Sequence, residues 1–335
     1  MFKSIRAASW LVACTLVVSL VRPVSAQNSR PLSRNHREEI IFQQSGSSRL
    51  LILRGLDPHP SRLEGWNAQA GGRFDVAPGG ECLAIEERTN GHAIQIVPIS
   101  DHSAGPRLGE FKELRDPRWT ADGRAIVATS NLRGRLGISI INLDTGAIRA
   151  INSACMSPVE SRVGDPIFCQ DTASVLAIGK DGNASDSIRL AEAIPGFVGK
   201  MPSALDVSSD DRRVIVEVDV RDRALAWHDG TKSEVYVWDR PEKRLTRVSR
   251  ADMFAREPRW IGPKGDWLFL GFELTEGNKE MVNAGGWPAE NLYRASGINA
   301  TEVQEIATHV SRYSVARERE VTRGFGSPMS GCASK

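Results

Sequence analysis

Long hydrophobic runs are missing from this sequence after about residue 26. No later stretch therefore reads as a membrane-spanning helix, which needs roughly 20 apolar residues. Helical periodicity is missing too. Apolar residues alternate or come in short runs between turns, and only "RLAEAI" (189–194) has the spacing of a helical turn. That pattern argues against an all-α or alternating α/β chain. Histidine is scarce, and His36, His59, His92, His102, His228 and His309 show no short metal-ligand spacing. There is no G-x-S-x-G nucleophile elbow and no glycine-rich phosphate loop. An excess of one charge is also lacking, with 43 basic against 41 acidic residues. Lys3, Arg6 and Arg22 fall in the first 26 residues, which hold no acid, so the remainder is close to neutral. Such a balance gives no footprint for a nucleic-acid partner.

Cysteine is sparse, at five residues, and none forms a C-x-x-C pair. After Cys14 come Cys82, Cys155, Cys169 and Cys332. Cys155 and Cys169 are the only close pair. They either bridge a loop to the next strand or stay as buried thiols. The first alternative needs an oxidising compartment.

The start of the chain, "MFKSIRAASWLVACTLVVSLVRPVSAQ", speaks to that compartment. A basic opening is followed by an apolar run from about Ala7 to Val21. Val24-Ser25-Ala26 then offers small residues at a cleavage site. Residues 1–26 read as a secretory signal peptide, with the mature chain starting at Gln27. The apolar run is short for a membrane anchor. A lipidated start at Cys14 is disfavoured because the run continues past it.

What is present is a repeat. "DPRWTADGRAIVATS" (116–130) aligns with "EPRWIGPKGDWLFLGF" (257–272), so that Pro117-Arg118-Trp119 recurs as Pro258-Arg259-Trp260. "DPIFCQDTASVLAIG" (165–179) follows with Pro166 and Phe168. Val207 and Val76 hold the aromatic place in "ALDVSSDDRRVIVEV" and "RFDVAPGGECLAIEE". The period is about 40–50 residues, that of propeller blades. Each unit continues with a polar turn such as "TADG" or "SSDD", then a β-rich run, then two further strands. Four antiparallel strands per unit make an all-β protein, a β-propeller.

The unit resembles the repeat of TolB-like periplasmic proteins, roughly P-x-W-S-P-D-G followed by a D-I-Y-V-M-D-like strand. The best matches are Pro117 to Gly123 with "GISIINLDTG", and Pro258 to Gly265. The resemblance covers about residues 38–315. It implies a periplasmic or secreted setting and a role in envelope assemblies. It fixes the fold more than the function.

"EEIIFQQSGSSRLLILRG" (38–55) reads as middle strands of a blade that lacks its innermost one. Ser311-Arg312-Tyr313 resembles Pro-Arg-Trp. Residues 309–316 are therefore expected to complete the first blade and clasp the ring, removing open edges. The count is six blades, with five or seven as alternatives. Residues 27–36 and 320–335 are expected to be tails around a single domain over 37–319. Pro117, Trp119, Phe168, Pro258, Trp260 and Tyr313 are structural anchors in this reading.

Three acids precede anchor prolines: Asp116, Asp165 and Glu257. Their shared phase would gather them at one mouth of the channel, where a calcium ion or a basic peptide would be the complement. Alternatively they are turn chemistry. The long loops 221–234 and 275–290 carry Trp227, His228 and Trp287, which either anchor a ligand or fold back over blade edges. The function expected is a non-catalytic module, monomeric and without a required cofactor, that docks a protein or peptide of the cell envelope on its long-loop face. A hydrolase or lyase acting on glycans or peptides at the channel mouth is the alternative.

Overall fold

A computed structural model describes residues 39–316 apart from 48, 55–59, 64–71, 88–91, 100–104, 112–113, 133, 153, 200–203, 226–229, 263–264 and 299–301. The signal segment, both expected tails, Trp227 and His228 lie outside the described residues. Blade 1 takes β1 (Glu39–Gln44), β2 (Leu50–Arg54) and β3 (Ser61–Arg62). Blade 2 is β4 (Phe74–Val76), β5 (Cys82–Glu87), β6 (His92–Pro98) and β7 (Arg107–Phe111). Blade 3 is β8 (Leu114–Trp119), β9 (Ala125–Leu132), β10 (Arg135–Asn142) and β11 (Ile148–Asn152). Blade 4 is β12 (Met156–Glu160), β13 (Ile167–Gln170), β14 (Ser174–Ile178) and β15 (Ala184–Arg189), followed by the short α1 (Leu190–Ala193). Blade 5 is β16 (Leu205–Val207), β17 (Arg213–Arg221), β18 (Thr231–Asp239) and β19 (Arg244–Arg247). Blade 6 is β20 (Met253–Ile261), β21 (Asp266–Glu273), β22 (Asn291–Ala295) and β23 (Val303–Ala307), with α2 (Glu276–Asn283) between β21 and β22. The last strand, β24 (Val310–Ala316), returns to blade 1 and pairs antiparallel with β1.

The architecture is a six-bladed β-propeller of four-stranded antiparallel sheets. The strands β24, β4, β8, β12, β16 and β20 touch one another in that cyclic order and form the innermost ring. The clasp expected from the sequence is present, with Phe42 opposite Tyr313 and Ile40 opposite Val315. It covers the edge that β1 would otherwise expose.

Burial between blades explains the repeated anchors. Trp119 is buried with Ala84, Ile94 and Ile96 of blade 2, and its indole N–H donates to the Asp75 carbonyl at 3.2 Å. Trp260 is buried against Ile215, Val235 and Val237 of blade 5. Tyr313 also packs at a joint, with Leu268 and Leu270 of blade 6 and its hydroxyl donating to the Glu257 and Leu268 carbonyls. It does not hold the place of Trp119, contrary to the alignment: Ser314 accepts from the Val76 amide as Asp75 does from that of Trp119, so Val315 is level with Trp119 and Tyr313 with Pro117. Each ring removes roughly 150–250 Å² from water, so these three joints each rest on one aromatic. The polar turns repeat as well. Thr120 Oγ donates to Asp122 and accepts from the Ala125 amide, just as Ser208 Oγ donates to Asp210 and accepts from the Arg213 amide. These side-chain bonds replace backbone pairing inside the turn.

Blade 4 departs from the sequence alignment. Its innermost strand is β12, so Pro158, not Pro166, matches Pro117 and Pro258. Phe168 sits one strand further out, on β13, where it is fully buried between blades 4 and 5. The register puts Glu160 where Trp119 and Trp260 stand in their blades. Glu160 reaches back to blade 3 through the Ala121 amide at 2.8 Å and pairs with Lys180 at 2.9 Å. Because the aromatic is replaced by an acid, the alignment moved to the next X-Pro pair. Cys155 and Cys169 form a disulfide that ties the loop before β12 to β13, with Cα atoms 5.8 Å apart.

Candidate functional site at the channel mouth

Three innermost strands carry the same distortion. Asp116, Ser157 and Glu257 each precede a proline and have φ of 53°, 52° and 52°. Positive φ is uncommon for residues other than glycine, and it breaks the strand register. The register shifts between Arg115 and Arg118, between Met156 and Val159, and between Arg256 and Arg259. These are β-bulges, and they mark where the innermost strand meets the mouth of the channel.

One tier of side chains crosses the channel just below the bulges. It consists of Ser314, Asp75, Arg118, Asp206 and Arg259, while Val159 at the same place in blade 4 packs into the core between blades 4 and 5. Asp75 accepts from the Trp119 amide at 2.9 Å, Asp206 from the Trp260 amide at 3.0 Å, and Ser314 from the Val76 amide at 3.2 Å. The same kind of bond therefore joins three blade pairs. Arg118 is buried and spans the channel, 3.0 Å from Asp206 and 3.6 Å from Asp75. Ser314 donates to Asp75 at 2.8 Å.

The upper tier is built from the bulges and the segments beside them. Arg73 binds Asp116 directly and lies 3.8 Å from Glu257. Arg256 pairs with Glu257 at 2.7 Å and grips Glu290 with both ends of its fork. Glu217, on β17, accepts from the Glu257 amide at 2.8 Å. Burial pushes the Glu217 carboxyl up to about 7, the bond from the Glu257 amide only partly opposing it. Burial also pushes Glu257 upward, but the charges of Arg256, Arg73, Arg312 and Arg259 outweigh it and hold this carboxyl at about 2. Arg73 and Arg256 lose solvation on burial, yet their carboxylates raise both above the ordinary arginine value. Arg259 moves the other way, lowered first by burial and then by the charge of Arg118.

Between these groups lies a small recess, part of it open to solvent. Its lining includes Arg73, Asp116, Arg118, Glu257, Arg259 and Arg312. Asp116 and Glu257 thus meet, 141 positions apart in sequence, through Arg73. Asp165 does not join them. It sits in the turn from β12 to β13, at the opposite end of the innermost strand from Ser157, and Ser157 holds the equivalent place. The mouth is also not purely acidic. Among the described residues no three His, Cys, Asp or Glu side chains gather as metal ligands. Arginine instead takes the carboxylates that were expected to attract a cation.

Trp287 lies in the connection from β21 to β22, on the same face as the recess. Its ring stands edge-on to the stacked pair Phe254 and Phe272, with centroids 4.9 and 5.5 Å away, yet it remains 42% exposed. Sequence reasoning passed over the arginines, although Arg118 and Arg259 stand inside the repeated Pro-Arg-Trp itself. The matching signal for Asp75 and Asp206 was the pair "FDV" and "LDV".

No protein-family model matches the chain, and no curated protein matches it in sequence. Solved structures do match. TolB from Acinetobacter baumannii superposes with a TM-score of 0.62 at 14% identity, over 84% of this chain and 67% of that one. The fold is that of TolB-like propellers. A putative TolB from Agrobacterium tumefaciens gives 0.57 at 11% identity, over 84% and 93% of the two chains. A chain of a nidogen/laminin complex gives 0.57 at 10% identity, over 84% and 99%. The hydrazine synthase of Kuenenia stuttgartiensis, an enzyme, also shares the fold at 0.54 and 11% identity, over 87% and 99%. At these identities the likeness to TolB concerns architecture. Among the described residues no helix is long and apolar enough to cross a membrane.

Proposed function

We propose that this chain is an exported, non-catalytic propeller that docks a protein or peptide on the channel-mouth face. The observation that carries the reading is the recess itself. Its charged groups come from several blades and converge on one small opening, on the same face as the half-exposed Trp287. Both recess carboxyls, Asp116 and Glu257, are held by arginine, which suits recognition better than proton transfer. On the opposite face the turns of blades 4 and 5 are bonded to one another. Ser161 donates to Asp211 at 2.7 Å and the Arg162 amide to the same carboxylate at 2.8 Å. Export is supported by the signal-like residues 1–26 and is consistent with the disulfide. The partner is taken to be a protein of the cell envelope, in keeping with the TolB-like fold, and the reading needs no cofactor.

The test is capture of a partner from the native envelope fraction by the mature protein and by Asp116→Asn/Trp287→Ala. The reading expects at least a tenfold loss of capture in the double variant. Equal capture by both proteins would contradict it.

A further inference from the structure

The channel mouth has hydrogen-bond donors left over and few acceptors to match them. Asp75 is used by Trp119, Ser314 and Arg118. Asp206 is used by Arg118 and Trp260, and Glu257 by Arg256 and Arg73. Arg259 differs. It has five N–H donors in a planar fork. One end donates to the carbonyls of Leu205 at 3.1 Å and Pro258 at 3.3 Å. Its Nε is buried without a hydrogen-bond partner, and no carboxylate among the described residues lies within ion-pair distance. A half-buried guanidinium whose Nε is enclosed and has no partner, beside a second guanidinium, is an unfavourable arrangement in the protein alone. The lowered Arg259 value expresses the same imbalance. Arg259 nonetheless lines the recess, together with Arg312 and Arg73. An arginine fork fits a carboxylate in a bidentate manner.

We propose that Arg259, with Arg312 lining the same recess, receives a carboxylate of the docked partner, an aspartate or glutamate side chain that reaches into the channel mouth. This rests on the docking function above and gives the partner segment a sign, acidic where the sequence alone pointed to basic. The recess is too small for a folded element, so the acidic residue sits at the tip of a loop or in an extended peptide.

The experiment titrates the mature protein with three probes, followed by nuclear magnetic resonance and calorimetry. They are a blocked peptide with one glutamate among glycines, its glutamine counterpart, and sodium acetate. The glutamate peptide is expected to bind at least tenfold more tightly than the glutamine peptide. Arg259→Met should remove that preference, while Arg212→Met, on the opposite face, should leave it intact. Arg259→Lys keeps the charge without the fork and should bind at an intermediate level, which preserves the test if Arg259→Met does not fold. Equal binding of the two peptides, binding of neither, or full preference in a folded Arg259→Met would overturn the proposal. So would binding of acetate with exclusion of the peptide, because the ligand would then be a free small carboxylate. If the peptides fail while capture from the envelope still depends on Asp116 and Trp287, the docking function stands and only the carboxylate assignment falls.

Discussion

Asp116, Ser157 and Glu257 show how one backbone feature serves both fold and site. Each bulge interrupts a strand and turns a side chain toward the channel. The rings just beyond them bind the blades. Trp119→Ala and Trp260→Ala should each destabilise the protein by about 3–5 kcal/mol, since both rings are buried at blade joints. Trp287→Ala should have a much smaller effect, because that ring is 42% exposed. Denaturant unfolding of the three variants checks this, and a mild loss at Trp119 would contradict the joint. Glu217 gives a pH signature. Its folded value of about 7 lies above the ordinary carboxylate range, so the folded state holds the proton more tightly. That contribution is complete below the unfolded value and is lost as pH rises toward 7, on the order of 3 kcal/mol. Glu257 has the opposite sign. Its value of about 2 gives stability above the ordinary range that is lost as pH falls toward 2. Glu217→Gln should therefore gain stability over the wild type at pH 8 relative to pH 5. Unfolding at both pH values measures it, and a parallel offset would contradict the assignment. The tryptophans were legible in the sequence because a large ring recurring at one phase of a repeat marks a packing position. The arginine partners were not, because sequence gives the charges present and not which of them face one another.

At the scale of elements, β24 decides whether the ring closes. Without it, β1 would present an unpaired edge carrying Ile40, Ile41 and Phe42, all buried in the intact protein. A chain ending at residue 309 should lose its cooperative thermal transition or melt far lower, and an unchanged transition would mean that the ends are joined otherwise. The disulfide between Cys155 and Cys169 closes a short loop in blade 4, whose innermost strand lacks the aromatic anchor. Replacing both cysteines by alanine should destabilise the protein by about 2–4 kcal/mol in urea unfolding. No change would show that the neighbouring packing alone holds β12. The strand count and the clasp could be read from the repeat, because turn chemistry and anchors recur from unit to unit. Blade 4 could not be placed in phase, because Glu160 stands in the aromatic position and Asp165-Pro166-Ile167-Phe168 imitates the motif one strand later.

For the molecule as a whole, the six blades make two unlike faces. One carries the short turns, bonded to one another at Ser161 and Asp211. The other holds the recess, the bulges and the exposed Met281 and Trp287. The sequence indicated which face would matter, since its longer connections lie there. It suggested an acidic mouth, because acids at one phase of three units were weighed while Arg73, at the same phase of the second unit, and the neighbouring Arg256 and Arg312 were passed over. A docking surface at this mouth is the central claim. The most direct measurement places a photo-crosslinking amino acid at position 281 or 287 on the mouth face, or at 122 or 163 on the turn face, in the protein expressed in its own cell. Irradiation should give a discrete larger adduct from 281 and 287 and none from 122 or 163. Adducts from 122 and 163 alone, or equal adducts from all four positions, would contradict the claim.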